Sequence, residues 1–132
     1  MVHELVEEAI TAMSARRELF SGEQQYVDDF AIAVRNGYDA GVRCSSSEVV
    51  GELQEAIAVL KPVSFPQPAP RSLRAAGFVC GVIDEHLVEL HADEEFRRLL
   101  TEGVSKAVAA LREWKELEGL FDSLFKEALK EY

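Results

Sequence analysis

The chain has 132 residues, 48% hydrophobic and 29% charged, the balance of a globular domain and not of a disordered segment. Fourteen Lys and Arg against twenty-four Asp and Glu give a net charge of −10. That balance argues against a duplex nucleic acid binder built on a basic face and favours a basic protein partner. At this length a single α-helical domain spanning 1–132 is expected to bury a core without staples.

Helical spacing of apolar residues begins at once. The first segment, about Val2–Phe20, carries a stripe of Val2, Val6, Ala9, Met13 and Phe20 and ends at Ser21-Gly22. Its opening, MVHELVEEAI, is acidic and periodic, unlike the charged and apolar regions of a signal peptide. No apolar run in the chain reaches bilayer length. Cys44 and Cys80 lie thirty-six residues apart with no CxxC. Together these features predict a cytoplasmic protein with free thiols, off the membrane.

Ser21 and Gln24 have capping-box spacing ahead of the second segment, which carries Tyr26, Val27, Phe30, Ala31, Val34 and Tyr38. Asn36-Gly37 is a turn pair, yet apolar spacing continues to Val42, and we read the helix as continuing. Ser45, Ser46, Ser47 and Glu48 read as a second capping box opening the third segment. Its stripe is Val49, Val50, Leu53, Ala56, Ile57 and Leu60, and Lys61-Pro62 stops it.

All four prolines fall in PVSFPQPAP, residues 62–70. An extended polyproline segment of that length spans up to about 28 Å, which suits a strap between distant helix ends. Phe65 is expected to tack the strap to the bundle. The fourth segment follows, about Arg71–His91, with Pro70 at its start.

Asp93 is placed to cap the fifth segment, a long helical region over 94–131. Its stripe runs Phe96, Leu100, Val104, Ala107, Leu111, Trp114, Leu117, Phe121, Leu124 and Ala128. An unbroken helix from Phe96 to the end would extend about 55 Å, beyond the diameter of one compact unit. Either Gly103 or Gly119 breaks it, or its far end packs against something else, the rest of the bundle or a second copy. Trp114, Phe121 and Phe125 are then helix-packing or interface anchors. The expected fold is all-α, a bundle of about five helices with a proline-rich connection between the third and fourth.

Seven of the eight glycines lie in or near helical segments. Interior glycine costs about 1 kcal/mol against alanine, so something must offset the total. Ala33-xxx-Gly37-xxx-Gly41 and Gly77-xxx-Gly81 form small-residue seams, into which another helix settles closely. In AAGFVCGVIDEHLVELH, residues 75–91, the first half is apolar or small all round, which implies burial on most sides. The second half is amphipathic, with Glu85, His86 and Glu89 directed away from the stripe.

Chemistry-bearing patterns are sparse. HExxH is absent, and no histidine follows a glutamate by three residues, so the di-iron carboxylate pattern is missing. The candidate metal ligands are Glu52, Glu55, Glu85 and His86, with Glu4 and Glu8 beside them. Carboxylates of this kind hold Mg²⁺ or Mn²⁺ in all-α nucleotide pyrophosphohydrolases, which carry ExxE followed by ExxD. Here Glu4/Glu7 and Glu52/Glu55 give ExxE, but no glutamate is followed three residues later by aspartate. Cys44, just ahead of a helix, has the placement that lowers a thiol's pKa. Arg16-Arg17, Arg97-Arg98, Arg71 and Arg74 stand out as positive charges able to hold an anion if they converge. The leading expectation is a non-catalytic acidic protein-interaction or scaffold protein with no cofactor. A divalent-metal-dependent hydrolase is the alternative.

Overall fold

A computed structural model of the chain describes residues 24–60 and 70–110, together with helical positions 4, 7, 8, 11, 122, 123 and 126. The described residues are all-helical, without a strand. They form α1 (Gln24–Arg43), α2 (Val49–Val59), α3 (Pro70–Leu90) and α4 (Glu94–Ala110). The first predicted helix as a unit, the strap at 62–69 and the region of Trp114, Gly119, Phe121 and Phe125 lie outside the described residues. No described helix is long and apolar enough to cross a membrane.

α1 continues through the Asn36-Gly37 pair to Arg43. Packing explains why a turn signal is overridden there. A Cβ built on Gly37 would overlap the Arg74 carbonyl oxygen and stand 2.9 Å from the Phe78 nitrogen. The glycine is there for close approach of another backbone. One on Gly41 would overlap the Phe78 carbonyl oxygen, and ones on Gly77 and Gly81 would overlap the carbonyls of Val34 and Tyr38. Facing positions advance together, 37 against 74–78 and 41 against 78–82, so α1 and α3 run parallel.

Two parallel neighbours need a return path, and α2 supplies part of it. Ser46 Oγ, just before α2, donates to the Glu89 carboxylate at 2.9 Å near the end of α3. At the other end of α2, Val59 shares a groove with Arg71 at the start of α3. α2 therefore runs antiparallel to α3. α4 packs on both α2 and α3, and Gly103 sits where they meet, its absent Cβ 3.4 Å from Ile57 Cγ1 and Val79 Cγ2. Gly103 does not break the helix, which continues to Ala110.

α3 is the hub. Leu73, Ala76, Val79, Val82, Ile83 and Leu87 are buried along it, and Cys80 with them. Phe96, Leu99, Leu100 and Val104 close the core from α4, and Val49, Leu53 and Ile57 from α2. Full burial of each such side chain contributes about 2 kcal/mol. Ahead of α4, the Phe96 amide donates to Asp93 Oδ1 at 3.0 Å, a side-chain N-cap.

The capping box expected for α2 does not form. Glu48 occupies the N-cap without a side-chain cap bond. Ser45 Oγ pairs with Ser47 Oγ at 3.3 Å, and Ser46 is drawn to Glu89. A backbone turn accepted by the Ser45 carbonyl, from the amides of Glu48 and Val49 at 3.0 Å, leads into the helix.

Candidate functional site

α1 packs chiefly on α3, whereas α2 packs on α3 and α4, so α1 and α2 diverge across the face of α3. Between them lies an open groove of about 390 Å³. Its floor is small and apolar: Gly37 and Ala40 from α1, Ala56 and Val59 from α2, Ala75 and Phe78 from α3. Glu52 and Glu55 stand one turn apart on the α2 wall, and Arg71 and Arg74 one turn apart on the α3 wall. Among the described residues, neither arginine forms an ion pair.

Glu52 is engaged on one side. The Cys44 thiol donates to Glu52 Oε2 at 3.0 Å and the half-buried sulfur sits beside the α2 start. Burial first, and then this bond to a carboxylate, push the Cys44 pKa up to about 12. Cys44 therefore does not have the lowered pKa that placement ahead of a helix allows. A carboxylate in contact outweighs the helix end, because it would repel a thiolate at hydrogen-bond distance. Cys80 is likewise free, fully buried on α3, and burial raises its pKa.

The other candidate ligands disperse. Glu85 is exposed on α3 and does not line the groove. His86, expected on the polar face, is 3% exposed, and among the described residues neither ring nitrogen has a hydrogen-bond partner. Its place three residues after Ile83 and four after Val82 sets it on the buried side of α3. No three His, Cys, Asp or Glu side chains among the described residues come together as a metal-binding group.

Of the residues expected to pack or make an interface, Gly37, Gly41, Gly77 and Gly81 each lie against the backbone of the opposite helix at the α1–α3 crossing, Gly41 and Gly81 against each other, and Ala33 is half-buried against the same core. Where the two helices leave the glycine seam, the Tyr38 hydroxyl donates to Asp84 Oδ2 at 2.5 Å. Burial, then that bond, raise the tyrosine pKa. Arg97 and Arg98 line an open depression on α4, where Glu102 is 3.9 Å from Arg98 and 3.4 Å from Lys106. Arg35 grips Glu7 through two bonds of 3.1 and 2.8 Å, which sets the Glu7 position against α1. Sequence reading missed the Tyr38–Asp84, Cys44–Glu52 and Arg35–Glu7 pairs, because each joins positions that only the fold brings together.

No family model matches the chain, and neither a curated protein nor a solved structure is found similar to it.

Proposed function

We propose that this chain is a non-catalytic helical interaction protein that self-associates through the apolar stripe following Ala110. One relationship carries the reading. Gly103 of α4 lies against Val79 of the antiparallel α3, so Ala110, seven residues on, is level with Ser72, two residues from the start of α3. The stripe continues in sequence as Leu111, Trp114, Leu117, Phe121, Leu124 and Ala128. A second copy is the occupant this reading assigns to that stripe. The net charge of −10 adds a preference for basic partners, and two free thiols support a cytoplasmic setting.

Native mass spectrometry across a range of concentrations tests it. A dimer or higher species is expected, reverting to monomer in the double variant Phe121→Glu/Phe125→Glu with helicity retained. A wild-type monomer at every concentration defeats the proposal.

One observation supports a second reading, a divalent-metal-dependent hydrolase of the all-α nucleotide pyrophosphohydrolase type. Glu52 and Glu55 share a groove with Arg71 and Arg74, and Mg²⁺ is commonly held by one or two carboxylates together with substrate phosphates. This reading requires pyrophosphate release from nucleoside triphosphates that depends on Mg²⁺ or Mn²⁺ and is lost in Glu55→Gln.

A further inference from the structure

We propose that the α1–α2 turn and the first turn of α2, residues 45–52, form a lid over the buried His86 ring, and that this lid opens as a unit without unfolding the bundle. It stands at the end of α3 remote from Ala110, and its opening does not depend on self-association.

Two registers place His86 in the last layer of the core. Ser46 bonds to Glu89, so on the antiparallel α2 Val49 stands level with His86, each three residues from that link. Gly103 lies against Val79, so on α4 Phe96 stands level with His86, each seven residues from that contact. Val49 and Phe96 are fully buried and His86 is 3% exposed. Ser46 and Glu89, about one turn further out, are already exposed. The layer is closed by protein and borders solvent.

A neutral imidazole carries one donor and one acceptor, and neither ring nitrogen has a partner among the described residues. Closure leaves both atoms without the hydrogen bonds that water gives them, and an opening that admits water restores those bonds. That relief lowers the cost of opening at this layer.

The two helices that flank the layer are held differently. α4 begins on a side-chain cap, the Phe96 amide bonded to Asp93 Oδ1 at 3.0 Å. α2 begins with Glu48 at its N-cap and no side-chain cap bond. Two exposed side-chain bonds hold the lid down, Ser46 Oγ to the Glu89 carboxylate at 2.9 Å and the Cys44 thiol to Glu52 at 3.0 Å. Exposed bonds of this kind are replaced by bonds to water at little net cost. Val49 is the one fully buried side chain that residues 45–52 must withdraw. The α2 side therefore gives way before the α4 side.

Amide hydrogen exchange on the full chain, read by NMR at rising urea below the unfolding transition, tests the lid. The reporters are the amides of Val49 and Glu52, bonded to the carbonyls of Ser45 and Glu48 at 3.0 Å. Val79, fully buried on α3, reports global unfolding. Val49 and Glu52 are expected to exchange about tenfold or more faster than Val79, at rates nearly independent of urea. His86→Leu removes the atoms that opening rehydrates and should slow Val49 and Glu52 about fivefold. Ser46→Ala should speed the same two amides about threefold, through loss of the link to Glu89. Exchange of Val49 and Glu52 at the Val79 rate, with the Val79 urea dependence, overturns the proposal. So do unchanged rates at Val49 and Glu52 in His86→Leu while Val79 slows, because the opening then leaves the ring buried. Faster exchange at all three amides in His86→Leu also overturns it, because the ring nitrogens are then engaged in the closed state.

Discussion

Gly41 and Gly81 occupy each other's side-chain space. A Cβ built on Gly41 falls 3.0 Å from the Gly81 Cα, and one built on Gly81 falls 3.1 Å from the Gly41 Cα. Each glycine is the condition for the other helix to lie so near, and the conformational cost of helical glycine is offset by contact between backbones.

Substitutions at glycine should therefore split by site. Gly77→Ala would drive a methyl group into the Val34 carbonyl, a backbone atom that yields only if the helices separate. A loss of about 3 kcal/mol or more is expected in urea unfolding. Gly51 has nothing within 4 Å of the added Cβ, and Gly51→Ala should gain about 0.5–1 kcal/mol from helix propensity alone. If the two variants behave alike, the close approach of α1 and α3 is wrong.

The imidazole of His86 is 3% exposed, with neither nitrogen partnered among the described residues. Burying polar atoms without partners costs about 1–3 kcal/mol. His86→Leu, similar in volume and fully apolar, is expected to raise the stability by about 1 kcal/mol, read from the denaturant midpoint at constant m-value. A marked loss instead would mean that the ring nitrogens are engaged.

Cys44 is half-buried yet chemically quiet, because burial and the Glu52 carboxylate push its pKa up to about 12. At about pH 8 its alkylation by iodoacetamide should run well below the rate of an ordinary cysteine, whose thiolate fraction is far larger. Glu52→Gln removes the carboxylate's charge and should accelerate the reaction. Rapid labelling of wild-type Cys44 at that pH contradicts the hydrogen bond.

Alkaline pH should unfold this protein sooner than acidity of its surface alone implies. Cys44, Cys80 and Tyr38 all have pKa values raised above the ordinary 9.0 and 10.0, principally by burial. The unfolded chain then loses these protons first, so it binds fewer protons than the folded state and stability falls as pH rises. The contribution is fully present below about pH 9 and declines above it, through about pH 12 for Cys44. Urea midpoints measured at about pH 8 and about pH 10.5 should fall in that order, and an unchanged midpoint would remove these groups from the account.

The helical periods, the burial of Gly77–Ile83 on most sides and the small-residue seams were legible in the sequence, because each depends on spacing along one helix. The Asp93 cap was legible for the same reason, since its side chain reaches only three residues ahead. Serine hydroxyls before α2 misled, because Ser46 bonds instead to Glu89, forty-three residues away. His86 misled because a polar side chain was assigned to a polar face, while the packing around α3 extends burial past its apolar stripe. What only the tertiary structure decided is which seam meets which and in what direction. Gly37 and Gly41 fit Gly77 and Gly81 in parallel, and that choice leaves α1 and α2 diverging over α3 around one groove that Glu52, Glu55, Arg71 and Arg74 all line. Local sequence determines what each helix must bury. The choice of partner depends on backbone approach between distant segments, which periodicity along one chain does not encode.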